Sequence, residues 1–244
     1  MLLKVCLNGA RASAAHPRLP VTPEALARDA AACHAAGAGA FHVHPRAPHG
    51  GESLDAADIG VAVSAIRHAC PGVPVGVSTG AWMVPDVKAR HARIASWKAL
   101  SASTRPDFAS VNLSEPGWES IADALLDADI GVEAGVWFPE DVSRLMAWPR
   151  ASRCLRILVE TQSSQPEAAC QEARTLVHLL RATGLACPLL VHGSEGGAWA
   201  VLGWARRHGF DTRIGLEDTL TLPDGQRTED NAALVAAALR LQGG

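Results

Sequence analysis

Two histidines, His42 and His44, stand one residue apart at the end of the apolar run Ala40–His44. Alternate side chains of a β-strand point to the same face, so both imidazoles are expected on one side of this strand. Pro45 follows directly and has no N–H for the sheet ladder, which places the pair at the end of the strand. Two imidazoles on one face can supply two of the three protein ligands of a catalytic zinc ion. The pair alone is equally compatible with two ordinary histidines near a loop.

An acidic pair, Glu217-Asp218, follows the run Arg213–Leu216 near the end of the chain. If the strands close into a barrel, this last strand lies beside the first and near the second, within reach of the histidines. Glu217 is then the best third ligand, and the set leaves a coordination position open for a substrate oxygen. Asp218 remains available as a base, and Arg213 could hold Asp218 or a substrate carboxylate. The alternatives for Glu217 are a solvated loop carboxylate and an ion pair with Arg213.

Other polar side chains come at the ends of predicted strands. The hydroxyls and open backbone of Ser78-Thr79-Gly80 suit a substrate carboxylate or an oxyanion, although a plain turn fits this tripeptide as well. Asn112 could donate to the same anion, and Glu133 could orient a ligand histidine or contact the substrate. For His192 we favour an ordinary loop histidine over a general acid, and His16 is either loop structure or part of a lid.

These residues belong to a chain that alternates between strand-like and helix-like segments eight times. The predicted strands are Lys4–Asn8, Ala40–His44, Val73–Ser78, Phe108–Asn112, Ile130–Val136, Cys154–Glu160, Pro188–His192 and Thr212–Leu216. The predicted helices are Thr22–Ala36, Ser53–Ala69, Pro85–Leu100, Trp118–Asp127, Pro139–Trp148, Pro166–Thr183, Gly197–His208 and Glu229–Gln242. The first helix is the clearest, because Thr22 can cap it, Pro23 suits its first turn and Gly37 ends it.

Strand–helix alternation predicts a parallel sheet with helical crossovers, and eight units in 244 residues match an α/β protein of the (β/α)8 TIM-barrel type. A doubly wound open sheet is the competing fold, and the lack of a G-x-G-x-x-G motif after the first strand weakens its dinucleotide-binding version. No linker or shift in composition divides the sequence, so residues 1–244 are expected to form a single catalytic domain. The active site of such a barrel lies at the C-terminal ends of its strands, where the polar residues above are found.

Composition narrows the class of protein. Apolar residues make up 48% of the chain and charged residues 19%, which supports a sizeable core and argues against disorder. The net charge of −3 gives no basis for a nucleic-acid partner, and no apolar stretch is long enough for a membrane partner. The first residues lack the features of a signal peptide, so a cytoplasmic location is expected. The six scattered cysteines form no C-x-x-C pair and are expected as small buried side chains.

Several of these motifs, in this order and spacing, resemble the β-keto acid cleavage enzymes, the family that includes 3-keto-5-aminohexanoate cleavage enzyme. The resemblance covers most of the chain. It rests chiefly on L-P-V-T-P-E at Leu19–Glu24, H-x-H at His42–His44, S-T-G at Ser78–Gly80 and R-x-G-L-E-D at Arg213–Asp218. Shorter matches are Asn8–Arg11, Ala36–Ala38, Ser110–Asn112, Val132-Glu133 and Asn231. H-x-H alone is unspecific, whereas its combination with the other three long motifs is specific.

The resemblance implies a zinc-bearing barrel, usually a homo-oligomer, that condenses a small β-keto acid with acetyl-CoA to give acetoacetate and a new acyl-CoA. His42, His44 and Glu217 would hold the zinc, although another divalent metal is compatible with these ligands. Asp218, held by Arg213, would take a proton from the substrate. The residues implied to bind the substrate carboxylate or support the site are Ser78, Thr79, Gly80, Ser110, Asn112 and Glu133.

The chain departs from the family in three respects. Arg11 stands where the aminohexanoate enzyme has a glutamate that pairs with the substrate amine. This exchange predicts rejection of a cationic substrate and an anionic or polar substrate tail, unless Arg11 pairs with a nearby acid. After the sixth strand the family often has a loop like Gly-Pro-Gly-Gly, whereas this chain has Glu160–Gln165, so CoA use is the less secure expectation. The chain is also shorter than typical members.

Two other functions are compatible with the same residues. A zinc-dependent hydrolase or retro-Claisen lyase would use water in place of CoA, which fits the altered loop after the sixth strand. A metal- or ligand-binding relative that no longer catalyses is the other alternative. Intact Asp218 and Arg213 argue against this last function, because a decayed site has no physical need for them.

Overall fold

Eight parallel strands form the centre of the computed structural model of the protein, which describes residues 1–241. The strands are β1 (Leu3–Cys6), β2 (Ala40–Val43), β3 (Val75–Ser78), β4 (Phe108–Asn112), β5 (Gly131–Val136), β6 (Arg156–Glu160), β7 (Leu189–His192) and β8 (Thr212–Ile214). Strands β1 to β7 pair in parallel with their neighbours in chain order, and β8 pairs in parallel with β1. The predicted TIM barrel is confirmed.

The two ends of the sheet, β7 and β8, are joined by less backbone pairing than the other neighbouring strands. A single parallel bridge joins Leu190 to Asp211, and the Val191 N–H donates to the Asp211 carbonyl oxygen at 2.8 Å. The Thr212 hydroxyl also donates to the Val191 carbonyl oxygen at 2.8 Å, so a side chain adds to the backbone pairing. The eight strands therefore form a nearly closed cylinder.

One α-helix follows each strand and covers the outside of the barrel. The helices are α1 (Pro23–Ala35), α2 (Ala56–Ala69), α3 (Val87–Ser96), α4 (Trp118–Asp127), α5 (Pro139–Ala147), α6 (Pro166–Ala182), α7 (Ala198–Arg207) and α8 (Asn231–Arg240). Helix α1 has its predicted cap, since the Thr22 hydroxyl accepts from the Ala25 N–H at 3.2 Å and Gly37 follows with a φ of +110°.

The main differences from the predicted elements lie at helix ends. Helix α2 begins three residues later than predicted, because the Ser53 hydroxyl accepts from the Asp55 N–H and holds residues 53–55 outside the helix. Helix α3 ends at Ser96 and continues as a 3-10 turn, Trp97–Ala99, instead of reaching Leu100 as a single helix. The predicted last helix extends to Gln242, which lies outside the described residues.

The barrel interior is charged at its centre. Lys4 on β1 and Glu133 on β5 are fully buried, and their Nζ and Oε2 atoms lie 2.6 Å apart across the barrel. Arg156 on β6 approaches the same carboxylate at 3.2 Å, and the ring of Phe108 lies beside both cations. Gly76 on β3 leaves the space for this ring, because a Cβ there would come within 1.9 Å of it. The apolar core lies between the outer face of the strands and the helices.

Four of the six cysteines, at positions 6, 33, 70 and 154, are buried, as predicted, and the other two are half-buried. Within residues 1–241, no helix combines the length and the apolar character that crossing a bilayer would require.

Candidate metal centre at the barrel mouth

His42, His44 and Glu217 come together at the barrel mouth, the end formed by the C-terminal ends of the strands. Their facing atoms form a triangle: His42 Nε2 and His44 Nε2 are 3.2 Å apart. Glu217 Oε2 lies 3.9 Å from the first nitrogen and 3.7 Å from the second. The main-chain path needs a glycine here, since Gly9 has a φ of +58° and its Cβ would come within 2.4 Å of Glu217. The structure thus brings the three predicted ligands into one cluster.

The three atoms fit a tetrahedral divalent ion. With metal–ligand bonds of about 2.0–2.1 Å, tetrahedral ligands lie roughly 3.3–3.4 Å apart. The separation of 3.2 Å between the two nitrogens already matches this value, and only the 3.7 and 3.9 Å separations from Glu217 must shorten. Glu217 Oε2 is buried and has no hydrogen-bond partner in the described part of the chain, as expected for an atom that binds an ion. Burial lowers the pKa of His42 well below its ordinary value, which keeps the imidazole in the neutral form that metals bind.

Glu52 orients one of the two histidines. Its Oε1 lies 2.6 Å from His44 Nδ1, which leaves Nε2 of His44 as the atom directed at the cluster. The other carboxylate oxygen accepts from the Trp82 indole N–H at 3.0 Å, and the Trp82 ring stacks on His44 with centroids 6.1 Å apart. Neither residue was predicted from the sequence, because each lies several residues beyond its strand end and nothing in their spacing links them to His44.

Asp218 is buried beside the cluster and is held by Arg213. Its Oδ1 accepts from Arg213 Nη2 at 2.7 Å and from Nε at 3.1 Å, while Oδ2 has no partner among residues 1–241. Burial raises the pKa of Asp218 to about 7, against the Arg213 charge, which lowers it. Asp218 therefore has one anchored oxygen and one free oxygen, and a pKa near neutrality, which are the properties of a general base.

A second group of potential ligands, Cys6, Glu217 and Asp218, lies next to the first. Arg213 occupies its carboxylate side, since Nη2 donates to Glu217 Oε1 at 3.0 Å as well as to Asp218. A guanidinium in that position supplies the positive charge that a second ion would bring. The geometry therefore favours one metal position, at the two histidines.

The residues predicted to bind a substrate carboxylate lie at the end of β3, in the two positions after it, and on β4. Ser78 and Ser110 are register neighbours, and the Thr79 hydroxyl donates to the Ser110 carbonyl oxygen at 2.7 Å. The Gly80 N–H donates to the Ser78 hydroxyl at 3.3 Å, and the Trp82 ring lies over Gly80. The Asn112 amide donates to Glu115 Oε1 at 2.8 Å. The hydroxyl of Thr79 and the amide of Asn112 thus already have protein partners.

Two other residues named from the sequence have defined surroundings. Glu133 pairs with Lys4 and Arg156 and does not contact a histidine of the cluster, whereas Glu52 contacts His44. His16 is buried, with Nε2 3.0 Å from the Thr228 carbonyl oxygen, and is part of the loop structure.

Arg11 pairs with an acid. Its Nη2 lies 2.5 Å from Glu195 Oε1 in the loop after β7, and its Nε donates to the Leu216 carbonyl oxygen. Glu195 neutralises the positive charge from which an anionic substrate tail was predicted. The contact instead joins the loops after β1, β7 and β8 at the rim of the mouth.

The fold and the site together define the class of protein: a (β/α)8 barrel with a candidate metal centre at its mouth. That centre consists of a His/His/Glu cluster beside a buried Asp–Arg pair. Over residues 1–243, the sequence matches the family described as beta-keto acid cleavage enzyme, and the chain belongs to this family. The 3-keto-5-aminohexanoate cleavage enzyme of Fusobacterium nucleatum is 33% identical over 81 residues, which are 33% of this chain and 30% of that protein. The chain thus aligns with less than a third of that curated relative.

Solved structures show the same fold. A complex of ObcA with oxaloacetate superposes with a TM-score of 0.75 at 17% identity, covering 90% of this chain and 62% of that one. A ternary complex of ObcA with a C4-CoA adduct and oxalate gives 0.74 at 18% identity, with coverage of 90% and 62%. The N-acetylmannosamine-6-phosphate 2-epimerase from Clostridium perfringens gives 0.58 at 13% identity, covering 89% of this chain and 87% of that one.

Proposed function

We propose that this chain is a metal-dependent enzyme that condenses a β-keto acid with acetyl-CoA and releases acetoacetate and a new acyl-CoA. One observation carries the proposal: two adjacent carboxylates have different surroundings. Glu217 directs at His42 and His44 an oxygen that has no partner among residues 1–241, whereas Arg213 holds one oxygen of Asp218 and leaves the other without a partner in the same range. This arrangement supports a metal position beside a base, as deprotonation next to a carbonyl group requires.

The site residues take the following roles in this proposal. His42, His44 and Glu217 hold a divalent ion, for which zinc fits the two nitrogens and one oxygen best, and the ion supplies Lewis-acid polarisation of the keto oxygen. Asp218 accepts a proton from the substrate at Oδ2, and Arg213 keeps Asp218 in place. Proposed contacts with the substrate carboxylate come from Ser78, Gly80 and Ser110, and from the second amide hydrogen of Asn112. Thr79 would join them by exchanging the Ser110 carbonyl oxygen for the substrate. Glu133 supports the site from below through its pair with Lys4.

Cleavage by water in place of CoA is a second candidate, and the loop after β6 favours it. The N–H groups of Gln162 and Ser163 donate to Glu172 Oε2 at 2.7 and 3.1 Å. Amides that point at an internal carboxylate are not available to a phosphate group of CoA. The same loop packs on the segment after β7, since a Cβ on Gly197 would come within 2.7 Å of the Ser163 carbonyl oxygen.

The test uses purified protein, its metal content measured by mass spectrometry, and a set of β-keto acids with and without acetyl-CoA. Acetoacetate formed only with acetyl-CoA supports the first candidate. Substrate loss without acetyl-CoA supports hydrolysis. Bound metal with no turnover of any acid would contradict both and leave a metal-binding relative without catalytic activity. Homo-oligomer formation and location in the cytoplasm stay predictions.

A further inference from the structure

Glu160 and His192 form a second polar pair at the mouth, next to the metal cluster. Glu160 ends β6 and His192 ends β7, and the two are register neighbours. On β6, Arg156 reaches Glu133 inside the barrel, so Glu160, four residues further on, also faces the interior. His192 Nε2 lies 3.6 Å from Glu160 Oε2.

The hydrogen-bonding capacity of this pair is open. His192 is 1% exposed, yet within the described residues neither of its ring nitrogens has a hydrogen-bond partner. Buried polar atoms in native proteins nearly always have partners, and such an orphan requires an explanation. The Glu160 side chain is 26% exposed, so the pair is open to the mouth. The missing partner can therefore come from a bound molecule.

Neighbouring cations already have carboxylate partners. Lys4 lies 2.6 Å from Glu133, Arg213 lies 2.7 Å from Asp218, and Arg11 lies 2.5 Å from Glu195. None of these three is left to receive a carboxylate on a substrate tail. Glu160 itself would repel such a group.

We propose that Glu160 and His192 form a subsite for an uncharged hydroxyl group on the tail of the β-keto acid, beyond its keto carbon. The inference rests on the proposed function and names the substrate class. A hydroxyl group is both donor and acceptor. It can donate to the Glu160 carboxylate and accept from the N–H of a neutral His192 ring, which matches the two open capacities of the pair.

Electrostatics disfavour a charged tail of either sign. Burial lowers the pKa of His192 well below its ordinary value, and the Arg213 and Lys4 charges lower it further. The same positive potential penalises an ammonium group placed beside the ring. Burial raises the pKa of Glu160 although the Arg213 charge lowers it, and the Glu217 charge adds to the rise, so a further anion at this position is disfavoured.

The experiment compares β-keto acids of one chain length whose tails carry a methyl, hydroxyl, ammonium or carboxylate group. With metal-loaded protein and acetyl-CoA, kcat/KM for the hydroxyl tail should exceed that for the methyl tail at least about tenfold, because a site built for a hydroxyl rejects the analogue without it. Higher kcat/KM for the methyl, ammonium or carboxylate tail would overturn the inference.

Three variants test whether the preference for the hydroxyl tail depends on His192. His192→Leu should bring the ratio of the hydroxyl to the methyl substrate to about one, whereas His192→Gln, which keeps a donor and an acceptor, should retain most of it. His178→Leu, on the exposed face of α6, is the matched control and should leave the ratio unchanged. A His192→Leu variant with the wild-type ratio would show that His192 does not recognise the hydroxyl group of the tail.

Calorimetric binding without acetyl-CoA separates failure of the subsite from failure of the proposed function. If no acid is turned over but the hydroxyl-tailed acid binds the wild type more tightly than the methyl-tailed acid, and His192→Leu removes this difference, the subsite stands and the function is wrong. If neither acid binds, or both bind equally, the subsite is wrong whatever the activity.

Discussion

At the scale of single residues, the mouth separates the groups proposed to bind a metal from those proposed to move a proton. Arg213 makes this separation, because it contacts both Glu217 and Asp218 but leaves one oxygen of each without a partner among residues 1–241. Glu52 has a third role, because it lies outside the cluster and fixes the orientation of the His44 ring. Each carboxylate has its role from its partners, not from its type.

Exchanging single side chains tests this division. Asp218→Asn should keep the metal and lose turnover, because the amide cannot accept the proton at neutral pH. His42→Ala should lose the metal, because one of three ligands is gone. Metal content by mass spectrometry and turnover, measured on the same preparations, check both results. An active Asp218→Asn variant would remove Asp218 as the base.

Glu52→Gln should weaken metal binding by about tenfold or more, because an outer carboxylate raises the basicity of the histidine it holds. Competition with a chelator measures the affinity. Glu119→Gln, exposed on α4, serves as the matched control. Equal affinities for Glu52→Gln and the wild type would mean that Glu52 does not support the metal.

At the scale of elements, close packing inside the barrel depends on positions without a side chain. The Phe108 ring on β4 lies against Gly76 on β3, and Lys4 and Arg156 lie beside the same ring. The charged residues are placed by this ring and by the strand register. Because the pair of Lys4 and Glu133 joins β1 to β5, the packing of one strand affects the opposite wall.

Gly76→Ala should lower the free energy of unfolding by about 1–3 kcal/mol, because its Cβ would overlap the Phe108 ring. Adding Phe108→Leu should recover part of the loss, giving a favourable coupling energy in a double-mutant cycle. Urea unfolding of the single and double variants measures these values. Gly60→Ala on α2 is the matched glycine control, since its Cβ would meet only ordinary contacts at 3.4 Å. Additive effects of Gly76→Ala and Phe108→Leu would contradict the packing argument.

The sequence predicted the elements and the metal cluster better than the outer contacts. Strand ends show in the local pattern, so His42, His44 and Glu217 could be placed together once a barrel was inferred. Glu52 lies in a loop, and its contact with His44 depends on how that loop folds back. The partner of Arg11 could not be predicted either, because Glu195 is 184 residues away and the loop after β7 has no periodic pattern.

At the scale of the whole molecule, the last helix, α8, helps to hold the first and last strands of the barrel together. Asn231, at the start of α8, donates to the Leu7 carbonyl oxygen after β1 and accepts from the Leu216 N–H after β8. Its amide also donates to Asp29 Oδ2 on α1 at 2.6 Å. This asparagine therefore ties the first and last strand ends to both flanking helices, close to the loop that carries Glu217 of the candidate metal centre.

Asp29 should make the stability of this closure depend on pH. Burial raises the pKa of Asp29 from 3.8 to about 7, so the folded protein holds a proton that the unfolded chain has released. Its stabilising contribution is complete below pH 3.8 and is lost as the pH rises to about 7, at up to about 1.4 kcal/mol per pH unit. Asp29→Asn removes this loss and should be more stable than the wild type at pH 8, with the difference shrinking toward pH 4. Urea unfolding from pH 4 to pH 8 measures the difference, with the exposed Glu140→Gln as control. Parallel pH profiles for Asp29→Asn and the wild type would show that Asp29 is ionised in the folded protein.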